Sequence, residues 1–262
     1  MWARPDRLLL LAGAVLFVLF LVALAVAAMD KRLLDGVPVW SKPIKFLIAT
    51  AVHVLTLGIV VALLSPERQA WPILVWTTLA CLACCAFEIA YISLQAARGQ
   101  HSHFNLGSPL YAALYQLMAA AAVVITCTAA VIGIIAFWDE GARLSLPVRH
   151  GILLGFLGGT IFTLVAGFTI GARLSPAVGQ VVTDVARMPV TGWRLDVGDL
   201  RVAHFLATHM MQSVPLAAVV AALLLPASIA TGLVWLFAAG WTCATYLAYA
   251  SALAGQPLSL PR

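Results

Sequence analysis

Long apolar stretches, separated by short polar segments, run through the whole chain. Each stretch is close to the roughly 20 residues that a helix needs to cross the hydrocarbon core of a bilayer. No segment alternates polar and apolar positions as a barrel strand would, and in lipid a helix is then the way to satisfy the backbone. The pattern predicts seven transmembrane helices, at about 8–29, 43–64, 71–97, 110–137, 150–172, 201–225 and 229–253.

The composition supports the same class of protein. The chain has 262 residues, of which 63% are hydrophobic and 10% are charged, and its mean hydropathy is +1.02. Soluble domains carry about a quarter charged residues, so the sequence predicts an all-α integral membrane protein, built as a single seven-helix domain. The apolar core of the first span, about 22 residues, exceeds that of a signal peptide, and we expect this span to be retained.

The distribution of charge predicts an orientation. Ten of the 15 Lys and Arg residues lie in or beside the first, third and fifth loops or in the C-terminal tail. The positive-inside rule then places these loops and the C-terminus in the cytoplasm of a bacterial-type inner membrane, with the N-terminus outside. The net charge of +5 comes without a basic run, which gives no indication of nucleic-acid binding.

Three local patterns predict how helices begin and pack. Ser108 followed by Pro109, and Asp199, are typical of helix starts. In the loop 173–199, valines at helical spacing predict a short helix on the membrane surface. Small residues recur every four positions in the fifth span, which predicts close helix packing within the chain, a homodimer seam or a surface on which a flat cofactor rests. These residues are Gly151, Gly155, Gly159, Thr163, Gly167 and Gly171.

Three side chains that can bind metals are predicted to lie at one depth. His53, Glu88 and His209 each fall about nine or ten residues into a span, counted from the side of the odd-numbered loops. At 1.5 Å per residue they lie roughly 13–15 Å deep, near the bilayer midplane. Ionisable residues are costly inside a membrane, so three at one level indicate a functional centre.

A second polar layer is predicted nearer the same surface. Glu88, Tyr91, Gln95 and Arg98 follow helical spacing and form a stripe from the midplane to the helix end. Further candidates, placed either near this surface or near the midplane, are Lys42, Lys45, Arg201, His204 and Gln212. The loop histidines His101 and His103 lie above, and their participation is left open. Together these positions predict a polar pocket that opens to one side.

Two metal centres fit these residues. In the first, His53 and His209 bind haem b axially, with His204 as a substitute for His209, and the rim cations Lys42, Lys45, Arg98 and Arg201 face the propionates. In the second, His53, His209 and Glu88 hold a single iron or zinc ion, with Tyr91, Gln95 and Gln212 around it. Glu88 and Tyr91 are the candidate catalytic residues in either case.

The function expected from this centre is redox work in the membrane, with a quinone or a lipid as the ligand. One alternative is a metal-dependent lipid hydrolase, in which a metal-bound water attacks an ester or amide. A second is a proton-coupled transporter, in which Glu88 takes up and releases the proton. The apolar character of the opposite half of the bundle argues against the transporter, because a transport path needs polar groups on both sides.

Overall fold

A computed structural model describes residues 4–180 and 187–257 of the chain. Seven long helices in it are apolar enough to cross a membrane, which confirms the predicted all-α seven-helix membrane protein. Their ends agree closely with the hydropathy pattern, and the largest shift is at Leu146, where a helix starts four residues earlier than expected. The helices are α1 (Pro5–Met29), α2 (Ser41–Leu63), α3 (Pro66–Gln69), α4 (Pro72–Ala97), α5 (Pro109–Trp138), α6 (Leu146–Arg173), α7 (Leu200–Leu224) and α8 (Ala227–Leu253).

Two short hairpins and the four-residue helix α3 were not predicted. The first hairpin pairs β1 (Leu33–Leu34) with β2 (Val37–Pro38), and the second pairs β3 (Ala177–Val178) with β4 (Gly198–Asp199). Each strand is only two residues long, too short for an alternating pattern to be visible in the sequence.

Both helix starts that the sequence indicated are confirmed. The Ser108 hydroxyl accepts a hydrogen bond from the Tyr111 backbone N–H, and Pro109 opens α5. The Asp199 carboxylate accepts from the backbone N–H of Arg201 at the start of α7. In both places a side-chain oxygen satisfies an N–H that the first helical turn cannot pair internally.

The helices group into two compact units, Met1–Arg143 and Leu144–Arg262. The first unit contains α1 to α5, and the second contains α6 to α8. The single seven-helix domain stays a prediction.

In the first unit, buried hydrogen bonds join the far ends of α2 and α5. The Asp139 carboxylate accepts from the Ser65 backbone N–H at 2.7 Å and from the Gly141 N–H at 3.2 Å. The Arg143 backbone N–H donates to the Leu63 carbonyl at 2.8 Å. These bonds satisfy backbone groups at a helix end and fix the two loops on this side of the unit.

In the second unit, the glycine ridge of α6 packs against α7. Gly151, Gly155 and Gly159 are buried, and a methyl group added at Gly155 would lie only 2.8 Å from the Met210 carbonyl oxygen and from Cδ of Pro215. The small residues allow the two backbones to approach closely, as the spacing predicted. Because α7 covers this part of the ridge, a homodimer seam there has no support.

The loop between α6 and α7 differs from the predicted surface helix on both sides of its centre. Residues 181–186, which hold the middle of that prediction, lie outside the described residues. On either side of them, Val178 belongs to β3, and the Met188 backbone N–H donates to the Trp193 carbonyl at 2.8 Å. The flanks of this segment therefore form extended and turn structure rather than helix.

Candidate functional site in the first unit

The buried face of α4 is polar over most of its length. Six of its residues with hydroxyl, thiol, carboxyl or amide side chains fall at intervals of three or four along the helix, and all are buried: Thr78, Cys81, Cys85, Glu88, Tyr91 and Gln95. This spacing keeps them on one face, which here is turned toward the protein interior. A membrane helix that buries polar groups and exposes apolar ones to lipid has its functional face inside.

Several of these buried atoms have no hydrogen-bond partner among the described residues. They include both carboxyl oxygens of Glu88, the hydroxyl of Tyr91 and the amide oxygen Oε1 of Gln95. The three residues are only 5%, 7% and 1% exposed. An unsatisfied buried polar group costs about 1–3 kcal/mol, and a charged group costs more. Buried groups of this kind mark a place where a ligand, ion or water binds.

Lys42, at the first turn of α2, supplies a positive charge near Glu88. The ammonium and the carboxyl group interact electrostatically, but no salt bridge within 4.0 Å joins these two described residues. The Lys42 Nζ atom lies 5.8 Å from the centroid of the Phe46 ring, a cation–π arrangement. Phe46 in turn packs against the core cluster that contains Tyr91. We call Lys42, Glu88, Tyr91 and Gln95 the Glu88 site.

Aromatic rings from four segments lie around this site. Phe87 and Tyr91 stack on α4 with ring centroids 6.2 Å apart. The His103 ring, in the loop before α5, lies 5.6 Å from the Phe46 ring and 6.2 Å from the Tyr115 ring. This loop is attached to α4 through the side-chain N–H of Gln95, which donates to the His101 carbonyl at 3.0 Å.

Burial and the nearby Lys42 charge lower the pKa of His103 to about 3. His103 is therefore neutral at physiological pH and acts as an aromatic and hydrogen-bonding group. The Ser102 hydroxyl lies 3.3 Å from its Nδ1 atom. Sequence analysis left the participation of His103 open, and the structure places it against the aromatic lining of the Glu88 site.

His53 lies on the buried side of α2 among small polar groups. Cys81 of α4 interacts with His53, with Cys85 on its own helix and with Thr128 of α5. The Nε2 atom of His53 is buried and has no hydrogen-bond partner among the described residues. His53 therefore interacts with Cys81, whereas Glu88 interacts with Lys42 and with Cys84 and Cys85 of its own helix.

The remaining predicted residues of the first unit lie at its mouth. Arg98, at the end of α4, donates from Nη2 to the Tyr111 hydroxyl at 3.2 Å, and that hydroxyl donates to Gln100 Oε1 at 3.0 Å. Lys45 is half-buried on α2. The polar stripe of α4 therefore ends in a hydrogen-bonded network that includes the start of α5.

The four predicted residues of the second unit all lie on α7, and three have defined surroundings there. Arg201 donates to the Asp199 carboxylate and, through Nη2, to the Gly192 carbonyl at 3.0 Å. The His204 ring lies against Gly167 of α6. His209 places Nδ1 2.8 Å from the carbonyl oxygen of Phe205. The fourth residue, Gln212, is half-buried.

The structure therefore brings Glu88, Tyr91, Gln95 and Lys42 together within one unit, while His209 belongs to the other. Within the described residues there is no group of three or more His, Cys, Asp or Glu side chains placed to hold a metal ion. Binding of one ion by His53, Glu88 and His209 stays a prediction. The sequence missed Phe46 as part of the site; its position one turn after Lys42 was the available signal.

No family model matches this chain, and neither does any curated protein or solved structure. What the fold defines is the class, a multi-pass helical membrane protein whose first unit has a polar interior.

Proposed function

We propose that this protein is a membrane-embedded redox protein that binds haem, or alternatively a single transition-metal ion, on the side of the odd-numbered loops. The observation that supports this most is the Nε2 atom of His53, a buried metal-capable nitrogen with no hydrogen-bond partner among the described residues. The Cys81 thiol beside His53 is only a weak donor, so this nitrogen is poorly compensated for its lost hydration unless a metal or a stronger donor binds it.

The number of available donors favours haem over a bare ion. A protein site for zinc or non-haem iron takes at least three side-chain ligands. No such group occurs in the part of the chain that the structure describes. Haem brings four nitrogens of its own and needs only one or two axial side chains, so isolated histidines are sufficient. Bound haem would supply one-electron transfer.

Each unit offers a candidate axial ligand. In the first unit it is His53, and in the second it is His209, whose Nδ1 lies 2.8 Å from the Phe205 carbonyl oxygen. A backbone carbonyl that holds one ring nitrogen orients the other toward a metal, the usual arrangement for ligating histidines. Lys42, Lys45 and Arg98 are the candidate partners of the propionates in the first unit, with Arg201 and the substitute ligand His204 in the second.

The charge distribution supports a location and an orientation. Because most Lys and Arg residues flank the odd-numbered loops and the C-terminus, we propose a bacterial-type inner membrane with these segments in the cytoplasm. The Glu88 site, which is attached to one of these loops through Gln95, would then lie in the cytoplasmic half of its unit.

The test is the optical spectrum and the metal content of the purified protein. We expect a Soret band and bound iron in the wild type, with loss of the band in His53→Ala if the haem lies in the first unit or in His209→Ala if it lies in the second. His150→Ala, on α6 near the Trp235 indole, is the matched control and keeps the band. A colourless, metal-free wild-type protein overturns the proposal, whereas colour that survives both substitutions overturns the choice of ligands.

A proton-coupled transporter is the second candidate, and the position of Glu88 favours it. A buried carboxyl group near the Lys42 ammonium can bind and release a proton inside the membrane. If the purified protein holds no metal but takes up protons in vesicles, and Glu88→Gln abolishes the uptake, this candidate replaces the redox proposal.

A metal-dependent lipid hydrolase is less well supported. Its catalytic ion needs three protein ligands and a bound water. The described residues provide no group of that size.

A further inference from the structure

We propose that the Glu88 site binds the aromatic headgroup of a quinol, the reduced and hydrogen-bond-donating form, in preference to the corresponding quinone. The inference rests on the proposed redox function, because it names the electron-carrying partner that the same unit would take. It is argued from the residues of the Glu88 site alone and does not depend on which metal or haem the protein holds.

The hydrogen-bonding capacity of the site is the first argument. In this site, the buried atoms without a hydrogen-bond partner among the described residues are the two carboxyl oxygens of Glu88, the amide oxygen of Gln95 and the hydroxyl of Tyr91. The amide oxygen only accepts, and a carboxyl group has accepting capacity in either protonation state. The hydroxyl can do both. A ligand that satisfies these atoms must therefore bring N–H or O–H donors.

The shape and polarity of the surroundings are the second argument. Phe46, Phe87 and Tyr91 present aromatic rings beside the acceptors, and the Phe87 and Tyr91 rings are stacked with an interplanar angle of 10°. Rings in such positions bind a flat aromatic ligand by offset stacking or edge contacts. A lipid headgroup with hydroxyl groups would satisfy the acceptors but would leave this lining without a matching surface.

The two redox forms of a quinone differ in whether they donate or accept hydrogen bonds, and the site distinguishes ligands by this property. A quinol carries two hydroxyl donors, whereas the quinone carries two carbonyl acceptors. A quinone carbonyl cannot donate to the acceptor oxygens of the site, so these buried groups would stay unpaired. A site built to hydrogen-bond a hydroxyl group strongly disfavours a ligand that lacks it. Two groups of the site could donate to the quinone, the Lys42 ammonium and the Tyr91 hydroxyl, and the hydroxyl can equally accept from the quinol. The three accepting oxygens of Glu88 and Gln95 leave the balance with the quinol.

The experiment measures equilibrium binding of a labelled short-chain benzoquinol, kept reduced under anaerobic conditions, and of its quinone. Protein in lipid nanodiscs is compared with empty nanodiscs. We expect saturable quinol binding at least about tenfold tighter than quinone binding, the range given by hydrogen bonds to a charged group. Equal affinity for both forms, or uptake no greater than by empty nanodiscs, overturns the proposal.

Variants locate the binding. Glu88→Gln replaces one acceptor oxygen by a donor, and we expect it to lose about tenfold in quinol affinity and most of the preference between the two forms. Tyr91→Phe removes one hydroxyl and should cost about threefold. Glu67→Gln, an exposed acid in α3, is the matched control and leaves both affinities unchanged. If the preference for the quinol is unchanged in Glu88→Gln and in Tyr91→Phe, the assignment to the Glu88 site is contradicted. If one of the two variants folds poorly, an unchanged preference in the other is sufficient.

The failure of this inference and that of the proposed function are separable. Under reducing conditions any bound haem is already ferrous, so quinol binding is measured without electron transfer. Saturable, selective quinol binding by metal-free and haem-free protein supports the Glu88 site and overturns the haem proposal. A haem-loaded protein that does not bind quinol supports the haem proposal and overturns the assignment of quinol to the Glu88 site.

Discussion

Two buried acids, Asp199 in the second unit and Glu88 in the first, have different surroundings. In the second unit, the buried Asp199 accepts from Arg201 and Arg194, and the Trp241 indole donates to the Leu206 carbonyl at 2.8 Å. In the first unit, Glu88 and the amide oxygen of Gln95 are as deeply buried and have no protein partner among the described residues.

This difference separates stability from function. A buried polar group with partners holds neighbouring segments together, and its removal leaves those partners unsatisfied. A buried polar group without partners costs stability and persists because it binds something. The comparison therefore predicts opposite signs for substitutions at Asp199 and at Glu88.

The largest effect is expected from Asp199→Ala. The substitution removes the N-cap side chain of α7 and the partner of the Arg201 guanidinium. We therefore expect a loss of about 3 kcal/mol in the free energy of unfolding. Unfolding in mixed micelles by added SDS, followed by circular dichroism, measures it. Glu67→Ala, at an exposed acid in α3, should change stability by less than about 0.5 kcal/mol. Equal effects at the two positions would show that Asp199 is not a structural anchor.

A smaller loss is expected where the glycine ridge meets α7. Gly155→Ala would force a methyl group against the Met210 carbonyl and Pro215, and overpacking of this kind costs about 2 kcal/mol. Gly232→Ala on α8, where nothing lies within 4 Å of the added carbon, is the control and should be neutral or slightly stabilising. The same unfolding measurement applies, and similar values for the two variants would contradict the close packing of α6 on α7.

A gain is expected in the first unit. Glu88→Met keeps the side-chain length and removes the unpartnered carboxyl group, so the ligand-free protein should gain about 1–2 kcal/mol in stability. The same variant should no longer bind the quinol. A loss of more than about 1 kcal/mol would mean that Glu88 has a structural partner, and the contrast between the units would fail.

The smallest effect concerns pH. Because burial holds the folded pKa of His103 near 3, the unfolded chain binds the extra proton below its ordinary pKa of about 6.5. The contribution of His103 is therefore fully present above about pH 6.5 and is lost as the pH falls toward 3. Between pH 7 and pH 5 we expect the wild type to lose somewhat under 1 kcal/mol more than His103→Gln, given its partial exposure. Parallel pH profiles would place His103 in water.

The sequence was sufficient for the transmembrane helices, since the length and apolarity of each run determine whether it spans the bilayer. It was also sufficient for the starts of α5 and α7, where Ser108 and Asp199 act through their own next turn. These features depend on local chemistry, which a single chain segment contains in full.

It was insufficient where the answer depends on which helix lies opposite. The repeat of Gly151, Gly155 and Gly159 predicts a close contact but not its partner, which is α7. The polar stripe of α4 is visible as a pattern in the sequence. That Glu88 has no hydrogen-bond partner among the described residues, and that Lys42 lies near it, depends on how α2 is rotated against α4. The depth of a residue along its helix axis can be counted from the sequence. The rotation of that helix about its axis, relative to its neighbours, cannot.

The most direct test is an experimental density map of the protein in lipid nanodiscs at a resolution that shows side chains and bound small molecules. The account predicts density that belongs to no protein atom, within hydrogen-bonding distance of the Glu88 carboxyl group and the Gln95 amide oxygen, and flat enough to stack on the neighbouring rings. A map in which these groups bond only to protein side chains, with no further density beside them, would contradict it.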